Sequence, residues 1–112
     1  MAIDEGTPFG LEVDHSGPTL TVYLWGDLDA AHAPTLEPRV TASLARATTN
    51  LVLDVAAVTF CDSFGLRSFV ALNDVATARN ISLRIQDPTR SLRRLFLVTG
   101  LDQVLSIYGT AT

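Results

Sequence analysis

A chain of 112 residues, 47% hydrophobic and 18% charged, has enough apolar material for one packed core and no room for a second domain. A net charge of −4 argues against nucleic-acid binding, which needs a basic face; the densest basic segment, Arg90, Arg93 and Arg94, reads as a solvated helix face. The single cysteine excludes an internal disulfide and fits a reducing compartment, no run of about 18 apolar residues is available to span a membrane, and residues 1–10 show no basic-then-apolar leader, so a soluble cytoplasmic protein is expected.

Phe9, Leu11 and Val13 alternate with Gly10, Glu12 and Asp14, the pattern of a half-buried strand. Ser16-Gly17-Pro18 is a turn signal. Leu20, Val22 and Leu24 then alternate with Thr21, Tyr23 and Trp25, a second strand that should pair with the first as a hairpin. Gly26 to Ala33 reads as a connecting loop. A helix is expected from near Pro34 to about Ala47, with Leu36, Val40, Leu44 and Ala47 toward the core. The aliphatic run Leu51-Val52-Leu53-Asp54-Val55 predicts a buried central strand.

The next helix should run from Ser63 to about Arg79, with Leu66, Phe69, Val70, Asn73 and Ala76 on one face and Asn80 as its stop. Ile81, Leu83 and Ile85 alternate with Ser82, Arg84 and Gln86 in another strand. Thr89 to Thr99 predicts a last helix, with Leu92, Leu95 and Phe96 inward and Gly100 ending it. Leu105 to Tyr108 is a short strand or helix, and the final residues should fray. The order β-β-α-β-α-β-α implies one α/β domain over 1–112, its core from about 9 to 108, with a mixed sheet covered by helices.

Three readings meet at Ser63. A serine between a strand and a helix is a natural N-cap, because its hydroxyl accepts a bond from an orphan N–H. The same position suits a phosphate acceptor, since unpaired N–H groups and the positive helix end favour an anion. A catalytic nucleophile is the third: Cys61-Asp62-Ser63-Phe64-Gly65 loosely matches a G-x-S-x-G elbow but lacks the first glycine, and a triad would need His15 or His32. Cys61 reads as a small buried hydrophobe. One cysteine and two scattered histidines show no metal-ligand spacing. Gly26-Asp27-Leu28-Asp29 reads as a turn in preference to a cation site. Phe64 falls opposite Leu66 and Phe69 on the helical wheel, beside Arg67; an exposed aromatic there suggests a partner contact.

Four segments carry a family resemblance: Gly26-Asp27-Leu28-Asp29 followed by Ala33-Pro34; Leu51-Val52-Leu53-Asp54; Val58 through Leu66; and Leu95-Phe96-Leu97-Val98-Thr99-Gly100-Leu101. In this order and spacing the chain resembles the STAS domain, and within it the stand-alone bacterial anti-sigma-factor antagonists. The resemblance implies phosphorylation at Ser63, which follows Asp62 as in the family's Asp-Ser-Ser-Gly or Asp-Ser-Thr-Gly switch. It also implies partner contacts around it at Asp62, Phe64, Gly65, Arg67 and Asp27. Phe64 replaces the second hydroxyl residue, and Arg67 stands where a small residue is common. The implied partners are an anti-sigma factor that is itself a serine kinase, which phosphorylates the antagonist and ends binding, and a metal-dependent serine phosphatase that reverses the mark. No cofactor, no catalysis, no direct nucleic-acid contact and no membrane contact are implied. STAS domains also serve as regulatory subunits of transport or stress-sensing complexes, and a small serine hydrolase using Ser63 is the remaining alternative.

Overall fold

A computed structural model describes residues 8–109. The expected fraying of the last residues falls on 110–112, outside the described residues. The two alternating runs form β1 (Gly10–Ser16) and β2 (Thr19–Leu28), an antiparallel hairpin turned at Gly17, whose φ of 57° suits glycine. β2 does not stop at Gly26. A φ of 84° there, with register shifts on either side, lets the strand bulge and continue to Leu28, so the connection expected over Gly26 to Ala33 is strand as far as Leu28 and turn only from Asp29. A side chain at Gly26 would run into the Pro8 carbonyl.

β3 (Asn50–Cys61) also outruns its apolar start, and its second half pairs in parallel with the extension of β2, Leu28 lying opposite Cys61. β4 (Ser82–Gln86) and the two-residue β5 (Ile107–Tyr108) complete a sheet of order β1-β2-β3-β4-β5, parallel except for the hairpin. Three crossovers step the same way along the sheet, and with the right-handed connection that parallel strands take they set α1 (Ala33–Ser43), α2 (Ser63–Ala78) and α3 (Arg90–Thr99) on one face. The mixed sheet and α/β class match the expectation; the helices cover one face of the sheet, while Tyr23 and Trp25 stand exposed on the other.

α1 is shorter than expected. Leu44 leaves the helix with ψ of 126°, and the Ala45 N–H is taken by the Thr48 hydroxyl at 3.1 Å, so Ala47 ends up exposed. The buried stripe of α2 is rotated from the expected one. Leu66, Phe69 and Ala76 are buried as expected, but Val70 and Asn73 are only half-buried, while Gly65, Ser68 and Leu72 are buried instead. The cause is α1, which packs alongside: the Ser68 hydroxyl donates to the Ala33 carbonyl at 3.0 Å, so α2 is covered by both the sheet and a helix. Leu53, Leu83 and Phe96 are buried, whereas Leu95 is half-buried. α3 ends at Gly100 in the left-handed conformation, and a 3-10 turn at Leu101–Gln103 leads into β5.

Candidate functional site

Parallel strands place their carboxyl ends at one edge of an α/β domain, and loops there carry function. Here the extended ends of β2 and β3 bring Asp27, Leu28, Cys61 and Asp62 to that edge, where α2 begins.

The cap of α2 is Asp62, not Ser63. In an extended conformation, the Asp62 carboxylate accepts from the Phe64 N–H at 2.9 Å and the Gly65 N–H at 3.1 Å. A carboxylate at the positive end of a helix satisfies two orphan donors and opposes the dipole better than a neutral hydroxyl does. Ser63 is thereby relieved of capping. It becomes the first helical residue, exposed, with no protein hydrogen bond to its hydroxyl among the described residues. Asp62→Ala is expected to cost about 1 kcal/mol in urea unfolding. Asp62→Asn should keep most of that stability; equal stability of Asp62→Ala and the parent would show that the cap carries nothing.

The step into α2 is tight. The Asp62 N–H donates to the Leu28 carbonyl at 3.3 Å. Gly65 is buried, and an added Cβ there would lie 2.6 Å from both the Leu28 oxygen and the Cys61 sulfur, so its part is to let α2 approach β2 and β3. Burial, reinforced by the neighbouring Asp62 carboxylate, pushes the Cys61 thiol up to about 12, which keeps it protonated and unreactive at neutral pH. Cys61 is only half-buried, where the sequence reading had a buried hydrophobe, and it packs against the core.

Phe64 is 45% exposed, off the buried stripe as the wheel predicted. The Arg67 guanidinium lies over its ring, 5.4 Å from the centroid. With Ala33, Pro34, Glu37 and Ala71 the pair lines a groove between α1 and α2. Pro34 and Glu37 were not singled out from the sequence as site residues, because their place beside Phe64 follows from the docking of α1 on α2. The Ala33-Pro34 motif was the one signal available.

Asp27 accepts from the Thr59 hydroxyl at 2.7 Å across the two strands. The turn falls to Asp29, whose carboxylate accepts from the Ala31 N–H at 3.1 Å and the His32 N–H at 3.2 Å. His32 Nδ1 also meets that carboxylate, at 2.9 Å, and its ring stacks on Phe9. His15 lies within β1. Neither histidine is bonded to Ser63. Among the described residues, no group of three or more potential ligands could hold a metal ion, and no helix is long and apolar enough to cross a membrane.

Fold and site together define a small α/β domain that offers a surface serine and a flanking aromatic at a strand-to-helix junction. Residues 11–107 match the family model described as "Mlab, STAS domain", and the chain belongs to the STAS-domain family. It is 28% identical over 97 residues to the anti-sigma-B factor antagonist of Bacillus subtilis (strain 168), a match covering 87% of this chain and 88% of that protein. Its fold is similar to the crystal structure of an anti-sigma factor antagonist from Mycobacterium paratuberculosis, with a TM-score of 0.81 and 27% identity over 92% of this chain and 87% of that one. Unphosphorylated SpoIIAA superposes with a TM-score of 0.73, covering 91% of this chain and 89% of that one; at 19% identity it shows the fold alone.

Proposed function

We propose that the chain is an anti-sigma-factor antagonist that works by partner switching, with Ser63 as the phosphorylated residue. The observation that carries this reading is the exposed Ser63 at the first position of α2, freed from capping by Asp62, in a STAS domain similar to the Bacillus subtilis and Mycobacterium paratuberculosis anti-sigma factor antagonists. Unmodified, the edge around Ser63 docks on an anti-sigma factor and so releases a sigma factor. The anti-sigma factor, acting as a serine kinase, phosphorylates Ser63 and ends the complex, and a metal-dependent serine phosphatase restores it. The chain is substrate and binding module, with no catalysis of its own. Incubation with the cognate kinase and ATP, followed by mass-spectrometric mapping, is expected to place the phosphate on Ser63. Modification confined to another residue overturns the assignment.

Phe64, Arg67, Asp62 and Asp27 form the contact surface in this reading, and Gly65 sets the height of the helix beneath it. Because Phe64 is only partly buried, Phe64→Ala should cost far less than the ~3–5 kcal/mol of a core phenylalanine. Its loss from an interface should weaken binding by about 2 kcal/mol. Calorimetric titration of the anti-sigma factor, paired with a urea melt, separates the two effects; a collapsed melt with unchanged affinity would make Phe64 a core residue.

The bulk of Phe64 beside the acceptor, where the family pattern has a second hydroxyl residue, favours one other reading, a STAS regulatory subunit of a transport or stress-sensing complex. A pull-down that returns a transporter ATPase in place of a kinase would select it.

A further inference from the structure

Residues four apart on a helix are neighbours, and an acidic group does best when it precedes the basic one in that spacing. Ser63 is the first residue of α2 and Arg67 stands four residues on, both exposed. In the unmodified chain the Arg67 guanidinium rests over the Phe64 ring. Among the described residues it makes no ion pair with a carboxylate, and Glu37, which lines the same groove, makes none either. The Asp62 carboxylate points to the Phe64 and Gly65 N–H groups. The Ser63–Phe64–Arg67 edge therefore contains a cation held only by a ring face, one helical turn from a free hydroxyl.

We propose that Arg67 is an internal clamp for phosphoserine at position 63, and that phosphorylation draws its guanidinium off the Phe64 ring. The inference rests on the reading of Ser63 as the acceptor. Transfer of the γ-phosphoryl group of ATP to Ser63 Oγ, with loss of the hydroxyl proton and release of ADP, adds roughly two negative charges at neutral pH. A guanidinium presents a planar fork of donors to phosphate oxygens, and this charge-assisted pairing is stronger than an exposed contact with an aromatic face. The modified chain then differs from the unmodified one in two respects: it carries the phosphate, and it has lost the Arg67–Phe64 stack that shapes the groove between α1 and α2. The mark is partly neutralised within its own helix, so loss of binding comes from the rearranged Phe64–Arg67 edge as well as from added charge.

The test installs phosphoserine at position 63 during translation, in the full chain, so no kinase is needed. Phosphorus NMR then follows the second ionisation of the phosphate, ordinarily near pH 6, in the parent, in Arg67→Gln and in Arg67→Lys. A cation at this spacing favours the dianion, so the value in Arg67→Gln is expected to lie about 0.3 units or more above the parent, with Arg67→Lys between. In parallel, the side-chain methylene protons of Arg67, shielded by the Phe64 ring in the unmodified chain, should lose that shielding when Ser63 carries phosphate. Equal ionisation in the parent and Arg67→Gln, or a ring shift unchanged by phosphate, overturns the clamp. A kinase that ignores Ser63 would sink the switch reading instead and leave this measurement intact.

Discussion

Phosphorylation of Ser63 is expected to weaken binding to the anti-sigma factor more than a hundredfold while leaving the fold in place. The folding side follows from where the hydroxyl sits. Ser63 is exposed at the first turn of α2, where a negative charge meets the positive end of the helix dipole, a favourable effect of about 0.3–1 kcal/mol at a solvated site. Asp62 next door already occupies the Phe64 and Gly65 N–H groups and repels the newcomer, so the two effects oppose each other and the net change in stability should stay within about 1 kcal/mol. On the binding side the Arg67 clamp offsets only part of the added charge and takes the guanidinium off the Phe64 ring. A surface that accepts a neutral serine must strip water from a doubly charged group and offer it a partner. A loss of about 3 kcal/mol corresponds to more than a hundredfold in Kd. Calorimetry on unmodified and phosphorylated protein measures the affinity, and urea unfolding measures the stability. Equal affinities would end the switch; a large loss of stability would replace local electrostatics with unfolding as its mechanism.

The fold and the Ser63 edge were not equally legible in the sequence. The strict alternation in Leu20, Val22 and Leu24 leaves little choice but a half-buried strand, and the compact aliphatic run from Leu51 fixes its parallel neighbour. Gly26 misled because glycine signals both a loop and a bulge, and only pairing with a strand as long as β3 selects the bulge. The end of α1 depended on Thr48 competing for a backbone N–H, a contact that helical periodicity does not carry. At the site, Asp62 and Ser63 are both good caps by residue type, and the choice between them rests on one backbone angle pair at Asp62. The exposed position of Phe64 could be read from the wheel because it needs only helical geometry. Its neighbours Pro34 and Glu37 could not, because they come from another helix. Ser68 and Leu72 enter the buried stripe of α2 because α1 covers a second side of the helix, which helical periodicity alone does not carry.

The largest loss of stability should come from that stripe. Phe69 is fully buried at the centre of α2, and its ring meets that of Phe96 in α3 at 5.7 Å between centroids and 60° between planes. It thus ties two helices to each other as well as to the sheet. Phe69→Ala removes the ring and leaves a cavity that β3 and β4 cannot close without bending, so a cost of about 3–5 kcal/mol is expected. Against a total of about 5–15 kcal/mol for a domain, this leaves a marginal protein. The tilted ring pair adds a coupling of about 0.5–1.5 kcal/mol, so Phe69→Ala and Phe96→Ala together should cost less than the sum of the two. Urea unfolding of the parent, both single variants and the double variant tests this, and a loss under about 1 kcal/mol in Phe69→Ala would show that the core closes around the gap. The same variant also separates core from interface. Phe69 does not reach the Ser63 edge, so the folded fraction of Phe69→Ala should bind the anti-sigma factor with parental affinity, and saturating partner should restore stability by mass action. Phe64→Ala should behave the opposite way, folding well and binding poorly. If both variants lose affinity in proportion to their unfolded fraction, Phe64 belongs to the core and the docking surface lies elsewhere on the domain.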